Sequence, residues 1–199
     1  MLKLEEKRRP VDKGLLLVMC LLMLFGLLTL FSATYYKALE TGDALSEVKK
    51  QLFGAAVGAA AMAFTCRMPY TFWRKKEVVL SAVIGSMVLL ILVAIPGIGR
   101  SVNGSRRWLG VGGFTFQPGE LAKYANVLMM ATMLERRERK IRSFFRGILP
   151  VLAVPAVMFL LILEQPNLST AGTIIIVSIL MVMLAGARWK HMGALGVMG

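Results

Sequence analysis

An all-α protein that crosses a lipid bilayer several times is what this sequence predicts, and three observations carry that expectation. Hydrophobic residues make up 57% of the 199 residues, and the mean hydropathy is +0.67, well above that of a soluble globular domain. The apolar residues fall in long uncharged runs, each near the roughly 20 residues a helix needs to cross the hydrocarbon core. The 24 Lys and Arg against 11 Asp and Glu sit in short clusters between those runs, as loops between membrane helices require. A formal net charge of +13 raises nucleic acid as a partner, but no continuous basic face and no nucleic-acid motif accompanies it.

The spans follow in order. Residues 14–35 form the first: the run is too long for the apolar core of a signal peptide and no small-x-small cleavage site ends it. A polar loop with Glu40, Asp43 and Glu47 precedes the second span, 51–66, whose Gly54, Ala55, Gly58 and Ala59 permit close helix approach. A basic loop carrying Tyr70 and Trp73 leads to the third span, 78–95, which stops at Pro96-Gly97. The fourth is constrained. Too few apolar residues lie between Lys123 and Glu135 to cross alone, so its helix begins near Pro118 and spans 118–134. After the basic loop 135–146 come a fifth span at 147–163, with a kink expected at Pro155, and a sixth at 169–187. An apolar run from Met192 begins a seventh. All 199 residues thus read as one transmembrane domain.

Orientation follows from the basic residues. With the N-terminus cytoplasmic, 17 of the 24 face inward. Arg100, Arg106 and Arg107 then face outward, against the trend. They belong to a polar, glycine-rich stretch, Asn103-Gly104-Ser105-Arg106-Arg107-Trp108-Leu109-Gly110, which continues to Gln117-Pro118-Gly119-Glu120-Leu121-Ala122-Lys123.

The chemistry of that stretch suits an anionic ligand. Paired arginines offer guanidinium forks to phosphate oxygens, glycines let backbone N–H groups come close, and a helix start near Pro118 adds a partial positive end. Trp108 offers a flat face to a sugar or lipid. Glu120 and Lys123 are three apart, on neighbouring positions of one helix face. The residues alone leave two readings open: a site for a lipid-linked pyrophosphate, or an ordinary loop whose arginines meet phospholipid headgroups. Glu120 with Lys123 reads equally as an interfacial ion pair or as part of a site.

Other candidates are weaker. Gln165-Pro166-Asn167 reads as a turn. Cys20 and Cys66 lie in apolar runs without metal-ligand spacing, and His191 stands alone at a membrane edge. No Walker loop, HExxH, GxSxG or metal-ligand cluster occurs. No cofactor is evident in the sequence, and a divalent cation stays open although no ligand cluster for it occurs.

Asn103-Gly104-Ser105-Arg106-Arg107-Trp108, then Phe116-Gln117-Pro118-Gly119-Glu120-Leu121-Ala122-Lys123, then Gln165-Pro166-Asn167-Leu168-Ser169-Thr170-Ala171, in that order, resemble the motifs of the SEDS family (shape, elongation, division and sporulation). Phe31-Ser32-Ala33-Thr34 is similar to a further family signature. The resemblance runs from about Val11 to the C-terminus. It implies a ten-helix bundle in the bacterial cytoplasmic membrane that polymerises lipid II at the outer face, in cell division or cell-shape maintenance. It also implies work with a class B penicillin-binding protein and other divisome or elongation proteins. Two other classes stay open: a lipid II flippase, and a scaffold for the transpeptidase. By the same resemblance, Glu120 and Lys123 support catalysis, and Arg106, Arg107, Trp108, Asn103 and Gln117 bind substrate. The main catalytic acid is expected beyond residue 199, so these residues alone are expected to be inactive. Three positions depart from the family pattern: Gly119 replaces a usual Ser, while Asn167 and Ser169 replace a usual Asp and Gly.

Overall fold

The computed structural model describes residues 11–41, 46–102, 104–111, 114–141 and 143–187. They form seven helices and one small sheet, divided between two compact units, Met1–Pro69 and Tyr70–Gly199.

The first unit is a pair of packed helices, α1 (Lys13–Thr41) and α2 (Ser46–Arg67). Asp12 opens α1 by accepting the Leu15 N–H at 3.1 Å. Leu15, Leu22, Phe25 and Leu28 are all exposed, so α1 is apolar on every side, as a lipid-facing helix is. Thr29 and Thr34 turn their hydroxyls back onto the carbonyls of Phe25 and Leu30, so neither polar group faces hydrocarbon unpaired. Gly54, Ala55, Gly58 and Ala59 of α2 face Leu16, Met19, Cys20, Met23 and Leu27 of α1 across an apolar groove.

The second unit is a bundle. A single-turn helix α3 (Tyr70–Trp73) precedes α4 (Lys76–Ala94), then the sheet, α5 (Pro118–Arg136), α6 (Leu149–Leu163) and α7 (Leu168–Leu184). Although these helices are apolar almost all round, one stripe of each is buried. On α4 it is Val79, Val83, Ser86, Leu90 and Val93, and on α7 it is Thr170, Ala171, Ile174, Ser178 and Val182. Both repeat every three or four residues, the helical period. The stripes meet in a core of Leu90, Ala122, Met129, Met158, Ile162 and Ile174. A second cluster joins Met130, Leu134, Ile141, Ile148, Val151 and Val182. In lipid such contacts hold helices together by close packing rather than by escape from water. Among the buried polar groups, Asn126 of α5 donates to the Ser178 hydroxyl at 2.9 Å, while Ser178 donates to Ile174 O at 2.7 Å.

Three helices are long and apolar enough to cross a membrane among the described residues: Lys13–Tyr35, Lys76–Ala94 and Phe144–Leu163. Leu168–Leu184 is apolar but shorter. The third of these includes a wide helical turn, Phe144–Ile148, in which the Ile148 N–H reaches Ser143 O at 3.2 Å, five residues back. Pro155 is buried inside α6, and the helix continues through it to Leu163.

The all-helical expectation needs one correction. Residues read as a glycine-rich loop form an antiparallel sheet in the order β1 (Gly99–Val102), β2 (Ser105–Val111), β3 (Phe114–Phe116). The cause is local: Val102 pairs with Ser105, and Gly104 takes φ 77°, which suits glycine.

Candidate substrate site

The sheet sits at one end of the bundle, where α4 ends, α5 begins and the chain turns from α6 into α7. Strand β2 packs on both α4 and α5.

Along β2, the pairing with β1 slips once. Ser101 stands opposite Arg106 and Arg100 opposite Trp108, so Arg107 is an extra residue with no partner across the ladder. Such a bulge bends the strand and re-aims the side chain it carries. Burial differs accordingly. Arg106 is exposed, while Arg107 and Trp108 are half-buried between the buried Ser105 and Leu109. The Arg107 Nε and the Trp108 Nε1 are buried and have no hydrogen-bond acceptor among the described residues. The N–H donors of two successive residues are thus withdrawn from solvent and unsatisfied, which is costly unless something accepts from them. Arg100 lies across Gly110, where any Cβ would overlap its guanidinium group.

The helix start is the second component. Gln117 occupies the position before α5 in extended conformation, and Pro118 is the first helical residue. Glu120 lies in the first turn, where a carboxylate suits the positive helix end. Its Oε2 meets the Lys123 Nζ at 2.8 Å, with side chains 51% and 29% exposed.

The turn between α6 and α7 is the third. Ser105 Oγ donates to Gln165 O at 2.9 Å, and Gln165 Nε2 donates to Leu90 O at 3.1 Å. Asn167 caps α7 by accepting the Thr170 N–H at 3.4 Å. Its buried Nδ2 has no acceptor among the described residues.

The residues singled out in the sequence therefore fall on two elements. Arg106, Arg107 and Trp108 lie on β2, and Gln117, Glu120 and Lys123 lie at the start of α5; Asn103 lies outside the described residues. Arg106 and Arg107 are adjacent in sequence but differ in environment, so they do not present one common fork. The roles of Ser105 and Gln165 were not evident from sequence, where Gln165 reads as an ordinary turn residue. The juxtaposition of Gly119 with Asn167 was equally hidden.

The family described as "Cell cycle protein", that of FtsW, RodA and SpoVE, matches residues 12–199. Stage V sporulation protein E of Bacillus subtilis is 37% identical over 197 residues, covering 98% of this chain and 53% of that protein. A probable peptidoglycan glycosyltransferase FtsW of Geobacter sulfurreducens (strain DL-1 / KN400) is 36% identical over 188 residues, covering 94% of this chain and 50% of that protein. The crystal structure of the rod shape determining protein RodA of Thermus thermophilus shares the fold, with a TM-score of 0.56 at 22% identity, over 85% of this chain and 54% of that one. The chain spans about half the length of the curated relatives it matches. With its apolar helices, this makes it a membrane protein. It belongs to the SEDS family of FtsW, RodA and SpoVE proteins.

Proposed function

We propose that the whole protein is a peptidoglycan glycosyltransferase that polymerises lipid II at the outer face of the bacterial cytoplasmic membrane. The observation that carries this is the pair of buried, unsatisfied donors on Arg107 and Trp108, on a strand that packs against the helix bearing Glu120 and Lys123. The relative named as a probable peptidoglycan glycosyltransferase supports it.

In polymerisation a sugar hydroxyl gives up its proton to a general base, the carboxylate the family resemblance implies, and attacks the anomeric carbon of a lipid-linked sugar. The bond from that carbon to the pyrophosphate lipid breaks, and the lipid leaves with negative charge. Arg107 donates to the pyrophosphate oxygens and Trp108 adds its indole N–H. The half-buried setting makes each such contact stronger than in water. Arg106 and Gln117 complete the binding surface, and Asn103 is assigned to it by the family resemblance. Glu120 orients Lys123, whose ammonium stabilises the same developing charge. The six long helices form part of one ten-helix domain, with the N-terminus cytoplasmic and the sheet outside, in keeping with the inward bias of basic residues. A class B penicillin-binding protein is its partner, as the family resemblance implies.

The interior of the bundle favours a polymerase over a flippase. Among the described residues its buried polar groups are neutral, including Ser86, Asn126, Thr170 and Ser178, whereas a path for a charged headgroup needs charged or strongly polar lining. The test is to supply labelled lipid II to the outer leaflet of proteoliposomes holding the whole protein. Glycan strands are the expected product. Movement of lipid II between leaflets without polymerisation would favour the flippase.

A further inference from the structure

We infer that Gln165 is the positioning residue that holds Arg107 in place, an inference resting on the proposed function of the site. Gln165 joins three elements through two hydrogen bonds. Its carbonyl accepts from Ser105 of β2, and its side-chain amide donates to the Leu90 carbonyl of α4, while Gln165 itself belongs to the turn before α7. The residue is 1% exposed, so neither bond competes with water.

The link is aimed at the arginine. Ser105 lies two residues before Arg107 and Leu109 two after it, and both are buried. The strand is pinned on either side of its bulge, leaving Arg107 as the unpaired residue between the two anchors. Release of Ser105 frees the first anchor and lets the bulge relax, moving Arg107 out of its half-buried position. Packing alone does not explain the choice of glutamine. Its Oε1 is buried without a donor among the described residues, a cost that an apolar residue of similar size avoids. An amide kept at that cost serves its hydrogen bond to Leu90, which fixes the backbone carbonyl that Ser105 uses.

The experiment uses the whole protein with Ser105→Ala, Gln165→Leu and, as the conservative variant, Ser105→Thr. The expected result is a KM for lipid II raised about tenfold by Ser105→Ala and by Gln165→Leu, with kcat little changed, since small misplacement of a binding group is costly. Ser105→Thr restores the wild-type KM. In an Arg107→Ala background, Ser105→Ala changes KM by less than about twofold, because the two act through one contact. Full additivity with Arg107→Ala, or loss of kcat at unchanged KM, would overturn the inference. A second readout needs no activity: Trp108 emission in a whole protein in which every other tryptophan, Trp73 and Trp189 included, is replaced by Phe. It shifts to the red in Ser105→Ala and Gln165→Leu, and not in the exposed control Leu160→Ala. Unchanged emission in both test variants overturns the inference. If emission shifts while the unaltered protein makes no glycan, the strand is held as inferred and the polymerase reading fails.

Discussion

Gly119 and Asn167, two positions at which the family resemblance drawn from the sequence implies a departure, are neighbours in space. A Cβ added at Gly119 would lie 3.9 Å from the Asn167 Nδ2 and 3.1 Å from the Thr170 Cγ2. The first distance leaves room for the Asn167 Nδ2 to donate a hydrogen bond to a serine hydroxyl oxygen. The second is a tight contact. The departures are therefore physically coupled: glycine relieves crowding against Thr170 and leaves the Asn167 amide without an acceptor.

This coupling ranks two substitutions. Gly119→Ala gains helix propensity of about 0.5–1 kcal/mol but crowds Thr170, at a cost of about 1–3 kcal/mol. Gly119→Ser meets the same crowding and recovers about 0.5–1.5 kcal/mol by accepting from Asn167. Reversible unfolding in mixed detergent should therefore find Ser more stable than Ala, with the gap closing in an Asn167→Ala background. An alanine variant as stable as the serine variant would disprove the coupling.

The opposite end of the second unit is joined by Arg74, after α3, and Glu135, at the end of α5, which form an ion pair. Both side chains are more than half exposed, 54% and 55%. An exposed pair is worth about 0.2–1 kcal/mol and is screened by salt. Arg74→Gln should lower stability by no more than that at low salt, and by nothing measurable at 1 M salt. A loss that persists at high salt would mean that Arg74 packs rather than pairs.

Core and lipid-facing leucines should respond differently. Leu90 is fully buried and Leu160 is 61% exposed. Leu90→Ala leaves a cavity and should cost about 2–5 kcal/mol, whereas Leu160→Ala should fall within about 0.5 kcal/mol of the parent. Equal effects in detergent unfolding would contradict the arrangement of the bundle.

The buried Asn126–Ser178 pair should matter less than its position suggests. Side-chain hydrogen bonds between membrane helices average about 0.6 kcal/mol. A double-mutant cycle of Asn126→Ala and Ser178→Ala should give a coupling of about that size, and a value above roughly 2 kcal/mol would exceed that range.

Much of the helical framework is legible in the sequence because its signals are local. Pro118 marks a helix start by its missing N–H, and α5 starts there. Pro96-Gly97 follows the end of α4 at Ala94. The sheet was missed although Asn103-Gly104 is a strong two-residue hairpin signal. The glycines around it and the short β3, three residues long, masked the alternation that marks a strand. Bundle stripes are harder to read in membrane helices, since the lipid-facing sides are as apolar as the core. The site is legible in part. Glu120 and Lys123 meet because they are three apart on one helix, and the arginines stand out by charge. The contrast between Arg106 and Arg107 depends on a register slip against β1, and the anchors at Gln165 depend on partners 60 and 75 residues away. No local pattern encodes such contacts.

The central claim rests on the half-buried donors of β2, and its most direct test is the initial rate of lipid II polymerisation by the whole protein carrying Arg107→Ala or Arg106→Ala. With lipid II well below its KM, loss of Arg107 should lower the rate by roughly 100-fold, the scale of one hydrogen bond to a charged group. Loss of the exposed Arg106 should change it by no more than about fivefold, as for a screened rim charge. An Arg107→Ala protein that folds and polymerises lipid II at the full rate would contradict the account.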